Sequence, residues 1–212
     1  DPIAVVDGCG HIWEATFQGD NELFLKTSYS NPLQTIPRAK PLICIAVVIP
    51  KRGFDDVLRM STEIGVDIIQ PLISERCFLK KCSAERIQRW KTIICEAVEQ
   101  SERLWSPQLL DIINIREFIG ISSMYPFGIA TTRLARLKSC NVWLNKIDLS
   151  VNQIWIAIGP EGGWTPEEEE LATNSGCESI EMGETILRTS TAAIVASQNM
   201  VLQRRAGNIS IS

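Results

Sequence analysis

With 212 residues, 45% of them hydrophobic and 22% charged, the chain has the make-up of a globular protein of one large domain, or one domain with a small appendage. A formal net charge of −4 excludes a globally basic nucleic-acid binder, so a nucleic-acid partner would need a local patch. No apolar run approaches the roughly 20 residues of a membrane span, and seven scattered cysteines with no CxxC pair and a single histidine point away from zinc and toward reduced thiols in a cytoplasmic protein.

The chain begins at Asp1, and its first residues read like the middle of a small β-domain whose opening strands are expected to be missing. Residues 3–6 and 12–17 flank the turn Asp7-Gly8-Cys9-Gly10, a hairpin signal. Residues 31–41 carry three prolines and read as a linker. The texture then changes. Residues 42–49 are continuously apolar, as expected of a strand buried on both faces. A helix is predicted over 53–65, with Val57, Met60 and Ile64 on one face, then a strand over 66–72. A long helix is predicted from 84 to about 104, with Ile87, Trp90, Ile94 and Val98 at helical spacing. Strands over 108–113, 127–131, 153–158 and 177–182 and a last helix over 189–205 complete an alternating pattern. That alternation predicts a mostly parallel α/β sheet.

The chain is organised around Ile158-Gly159-Pro160-Glu161-Gly162-Gly163-Trp164-Thr165-Pro166-Glu167. An apolar strand runs into a glycine-rich turn, and Glu167 to Glu170 then open a helix with Thr165 as its cap and Pro166 in its first turn. Those glutamates suit the positive end of a helix dipole better than a metal. The turn lacks both the GxGxxG spacing of a dinucleotide fold and the Lys-Ser/Thr ending of a P-loop, which leaves a backbone cradle and a plain tight turn open. Ligands of open α/β sheets lie beyond the carboxyl ends of the strands. Three loops fall there: Thr131-Thr132-Arg133, residues 159–164 and residues 183–188. Arg188, just before a helix start, either holds an anion or pairs with a surface carboxylate. Gln100 and Arg103 close the long helix and either face RNA or, for Arg103 with Glu99, form a surface pair. Lys80, Lys81, Arg86, Arg89 and Lys91 are the nearest thing to a basic cluster, a solvated face or a phosphate contact.

Five stretches taken together resemble the RsmE-type methyltransferases, which modify uridine N3 of 16S ribosomal RNA and belong to the SPOUT superfamily. They are Thr62-Glu63-Ile64-Gly65-Val66, Pro71-Leu72-Ile73-Ser74-Glu75-Arg76-Cys77, Glu96-Ala97-Val98-Glu99-Gln100-Ser101-Glu102-Arg103, residues 158–163, and Met182-Gly183-Glu184-Thr185-Ile186-Leu187-Arg188-Thr189. They keep that family's order from about residue 42 onward. The Asp7-Gly8-Cys9-Gly10 hairpin resembles the later part of its N-terminal PUA-like β-barrel.

The resemblance implies an α/β fold: a SPOUT-type mostly parallel sheet with a C-terminal deep trefoil knot over 37–212, preceded by a partial PUA-like β-barrel over 1–36. It implies S-adenosyl-L-methionine as cofactor, no metal, a homodimer, and 16S rRNA within the 30S subunit as partner. The implied cofactor residues are Ala130, Thr131, Gly159, Pro160, Glu161, Gly162, Gly163, Met182, Gly183, Ile186, Leu187 and Thr191. Arg188 is expected to stabilise developing uridinate charge and Glu161 to act as base or positioning group, with Gln100, Arg103 and Arg188 touching RNA. Two departures stand out: Ser190 where the family often has Glu, and Arg59-Met60-Ser61 where it has a Lys. The alternatives are another RNA target on the same fold, or an RNA-binding assembly factor without catalysis.

Overall fold

The computed structural model describes residues 2–19, 22–79, 82–132 and 137–209. Arg133 of the first candidate loop and Lys80 and Lys81 of the basic cluster lie outside them. The chain begins with β1 (Pro2–Val6), β2 (His11–Gly19), β3 (Glu22–Leu25) and β4 (Gln34–Thr35), an antiparallel sheet in which β1, β3 and β4 all pair with β2. The predicted hairpin turn is held by Asp7, whose carboxylate accepts from the Cys9 amide at 2.7 Å and lies 2.6 Å from His11 Nδ1.

The remainder alternates strand and helix: β5 (Leu42–Val48), α1 (Phe54–Ile64), β6 (Ile68–Ile73), α2 (Ala84–Gln100), β7 (Gln108–Leu109), β8 (Ile113–Asn114), α3 (Ile115–Ser122), β9 (Phe127–Ala130), β10 (Lys138–Ser139), α4 (Cys140–Leu144), β11 (Gln153–Ile158), α5 (Pro166–Asn174), β12 (Glu178–Glu181) and α6 (Thr189–Ile209). Every pairing in this second sheet is parallel, in the order β10-β12-β9-β11-β5-β6-β7 with β8 also on β6. The mostly parallel sheet predicted from the alternation is therefore present.

β5 explains why its sequence is apolar throughout. Ile43, Ile45 and Val47 enter the core under α1, α2, α4 and α6, while Leu42, Cys44, Ala46 and Val48 enter the core under α3 and α5. A strand buried on both faces cannot alternate polar and apolar residues. Among the described residues no helix is long and apolar enough to cross a membrane.

Two elements depart from the expected pattern. The long helix stops at Gln100 rather than near Leu104, because Glu102 takes a left-handed φ of 53° and the Arg103 amide returns to the Val98 carbonyl. The segment expected to form one strand over 108–113 is two short bridges, β7 and β8, on successive parts of β6.

The proline-rich stretch 31–41 is pinned on both sides rather than slack. The Ile36 amide donates to the Gly10 carbonyl at 2.8 Å, and its own carbonyl accepts from the Trp105 indole at 2.9 Å. Gly10 must be glycine here: a Cβ would lie 2.5 Å from the Ile36 oxygen and 2.7 Å from the Trp105 ring. Two residues on, Arg38 stacks over Trp105 at 5.3 Å and donates to the Asp67 carbonyl at 2.8 Å.

Asp67 is the hub beneath. Its buried carboxylate accepts from the Ile43 amide at 2.9 Å and from Arg204 at 2.5 Å. Arg38 Nε stands 3.5 Å from its other oxygen. This cluster sits at the amino ends of β5 and β6, opposite the loops that carry the candidate motifs.

Candidate active site

The carboxyl ends of β9, β11 and β12 frame a cleft of 280 Å³. Its floor is built by the organising turn. The Gly163 amide donates to the Pro160 carbonyl at 2.8 Å, closing a four-residue turn in which Gly163 adopts φ 72°, a conformation that favours glycine. Trp164 then folds back under the turn and donates its indole N–H to the Ala130 carbonyl at 2.9 Å, joining the ends of β9 and β11. Gly159 is explained by the same ring, since a Cβ there would lie 2.9 Å from Trp164 Cε2. The glycine serves an internal contact as well as any approach to a ligand.

Three of the four glutamates after the turn have distinct partners. Thr165 and Glu168 form a reciprocal capping box, and the second side of Glu168 accepts from the Glu75 amide at 2.9 Å. Hydrogen bonding from its own amide and the Thr165 hydroxyl holds the Glu167 carboxyl below its ordinary range. Glu169 turns inward instead, lines the cleft and accepts from the Thr131 hydroxyl at 2.6 Å. The far wall is the segment after β12, from Glu181 to Leu187, and the start of α6. There Thr189 donates its hydroxyl to the Gly159 carbonyl at 2.9 Å.

Of the twelve cofactor residues expected from the sequence, ten line this cleft: Ala130, Thr131, Gly159, Pro160, Glu161, Gly163, Met182, Gly183, Ile186 and Leu187. Gly162 faces the Arg76 side chain, and Thr191 is exposed on α6. Glu169, Glu181 and Thr189 line the cleft and were not singled out for it, while Trp164 lay within the candidate loop 159–164 without a role of its own. Only Glu169 gave a sequence signal, and the helix-start reading of its glutamate run obscured it.

Arg188 is exposed at the end of the far wall, just outside the cleft lining. Glu161 is also exposed, and its carboxylate accepts from the Lys51 amide at 3.2 Å. Gln100 is exposed at the end of α2, away from this lining. Arg103 is engaged within the fold. Its guanidinium donates to the Thr62 and Val66 carbonyls at 2.6 and 3.0 Å, tying α2 to the end of α1. Burial pushes it down to about 10, still charged at neutral pH, and its Nη1 group serves the fold.

An all-parallel sheet whose glycine turn and post-strand loops converge on one acidic cleft defines an α/β enzyme class with a small-molecule site at its strand ends. Residues 38–201 match the RNA methyltransferase domain, and the chain belongs to that family. The ribosomal RNA small subunit methyltransferase E of a Synechocystis strain is 36% identical over 204 residues, 92% of this chain and 64% of that protein. The Rickettsia conorii protein of the same name is 34% identical over 163 residues, 76% of this chain and 64% of that one. The RsmE-type resemblance drawn from the motifs is thus borne out, and the chain spans just under two thirds of these relatives.

Solved structures agree. The methyltransferase E of Neisseria gonorrhoeae, solved with S-adenosyl methionine, superposes with a TM-score of 0.75 at 32% identity, over 94% of this chain and 82% of that one. A Legionella pneumophila protein solved with the same cofactor gives 0.80 at 26% identity, over 97% and 83%.

Proposed function

We propose that this protein methylates N3 of a uridine in 16S rRNA of the small ribosomal subunit, using S-adenosyl-L-methionine. The observation that carries the reading is the charge of the cleft. Glu161, Glu169, Glu181 and Glu184 line it, and among the described residues no Lys or Arg does. Such a cleft disfavours a phosphate-bearing nucleotide and suits a nucleoside that carries positive charge. Its volume lies near the lower end of small-molecule sites, about 300 Å³.

S-adenosylmethionine supplies, when bound, a methyl group already activated on a sulfonium. The chain has to bind, orient and manage one proton. Backbone groups of 159–163 and 182–187 would read the adenine edge, with Met182, Ile186 and Leu187 against its faces. The glutamates would complement the positive charge. Arg188, at the rim, would stabilise the uridinate that forms as the N3 proton leaves. Glu161 would serve beside it as base or positioning group. Gln100 and Arg103 remain proposed RNA contacts.

The same reading includes a deep trefoil knot in the methyltransferase part, a PUA-like origin for the β1–β4 sheet, a homodimer, action on the 30S subunit and a cytoplasmic setting. Titration calorimetry with S-adenosylmethionine and its demethylated product tests the core of it. Saturable binding near one per subunit is expected, followed by methyl transfer to small subunits. A folded protein that binds neither compound refutes the reading.

A further inference from the structure

Outside the acidic cleft, the rim beside Glu161 has the opposite character. Three loops meet there, following β5, β6 and β11. The Lys51 amide donates to Glu161, and Arg76 donates to the Gly162 and Trp164 carbonyls at 3.0 and 2.9 Å, so the first two loops are fastened to the turn that floors the cleft. On them stands Phe78, 69% exposed, with Lys51 Nζ 4.8 Å from its ring centre.

This ring is displayed rather than loose. Its neighbour Cys77 is buried, with Sγ bonded to the Ile49 and Leu79 carbonyls at 3.4 and 3.1 Å. Leu79 packs against the core on the other side. Arg52, exposed beside Lys51, adds a second cation. A lone exposed phenylalanine needs no explanation. One held upright by an anchored loop, under an ammonium and one loop from the cleft, has the parts that recognise an unpaired nucleotide: a flat apolar face for the base and cations for its phosphate.

We propose that Phe78 and Lys51 form a stacking platform for an unpaired RNA base next to the target nucleotide, a reading that rests on the RNA methyltransferase function above. The base stacks on the phenyl ring while Lys51 and Arg52 meet the backbone phosphate. The acidic cleft and the basic, aromatic rim thereby sort a cationic cofactor from an anionic substrate.

The test uses the purified chain and a short single-stranded RNA carrying 2-aminopurine, whose fluorescence is quenched by stacking. Wild-type protein should quench it. Phe78→Ala should abolish the quench and weaken RNA binding about tenfold, Phe78→Trp should keep both, and cofactor titrations should match for all three. Lys51→Gln should flatten the logarithmic salt dependence of binding by about 0.7. No quench by wild-type protein, or equal RNA affinity for Phe78→Ala, overturns the proposal. Loss of subunit association in Phe78→Ala with RNA affinity intact overturns it too, by making the ring a protein contact. A quench with no methyl transfer by wild-type protein would instead count against the enzymatic reading and leave the platform standing.

Discussion

The hydroxyl of Thr189 donates to the carbonyl of Gly159, so the first residue of α6 is fastened to the first residue of the turn after β11. Thr189 is buried, and Thr189→Val keeps its shape while removing the donor. Leaving that carbonyl without its partner should cost about 1–3 kcal/mol of stability and loosen both walls of the cleft. Thermal melting together with calorimetric cofactor affinity checks this; a lower melting point with unchanged affinity would separate the tether from the site.

Gly159→Ala should be worse for the cleft than its one methyl group suggests. The new Cβ would lie 2.9 and 3.0 Å from two indole atoms of Trp164, which cannot retreat without giving up the Ala130 carbonyl. Overpacking of this kind costs about 1–3 kcal/mol. Trp164→Phe in the same background should recover part of the loss, measured by denaturant midpoints of the single and double variants.

Arg188→Ala should separate binding from chemistry. The side chain is exposed and outside the cleft lining, so cofactor affinity should hold while methyl transfer falls by about 10²-fold, the scale for removing one charge-stabilising donor. Single-turnover transfer rates beside calorimetric affinities decide it. Unchanged turnover would remove Arg188 from the mechanism.

At the other end of the sheet, Asp67→Ala would take the carboxylate from Arg204, whose side chain is only 11% exposed and would keep only the Pro41 and Gly65 carbonyls, and from Arg38. Breaking a buried pair from one side costs about 3–5 kcal/mol, a large share of a domain's stability. Arg103→Ala should cost about 1.5–3 kcal/mol through its two carbonyl contacts, and unchanged RNA affinity would remove it from the RNA interface. Urea denaturation and RNA titration of both variants report the two effects separately.

The thiols give a pH-dependent readout. Cys9 and Cys95 are exposed, while Cys44, Cys77, Cys140 and Cys177 are buried. Burial pushes the Cys140 thiol up to about 11 and raises those of Cys44 and Cys177. Only the thiolate attacks, so a disulfide reagent at mildly alkaline pH should label two sites rapidly, Cys82 more slowly, and the buried four only on unfolding. Partial burial and the neighbouring Glu99 also raise Cys95, so its labelling should climb at a higher pH than that of a free thiol. Time-resolved absorbance on Cys9 and Cys95 single variants tests the order.

Much of this was legible where the signal is local. The unbroken apolar run of β5 announced a strand buried twice over, and glycines at both ends of α1 marked its limits, with φ 83° at Gly53 and 116° at Gly65. The cleft loops were legible because strand ends locate them. α3 was missed although Ile115, Phe118 and Ile119 sit at helical spacing, since it follows a two-residue strand with no break. The tie made by Arg103 was not legible because the carbonyls it satisfies lie 37 and 41 residues away, and Arg204 finds Asp67 across 137. Nothing in a local pattern encodes such partners.

The junction between the small antiparallel sheet and the parallel one has a further consequence. Gly10 reaches the Leu104 carbonyl, Ser106 reaches Gly8, and Trp105 is clasped between Ile36 and Arg38. A unit sewn on along both edges is not a tethered arm. The small sheet therefore keeps one distance and one orientation to the parallel sheet, which a flexible linker would leave free.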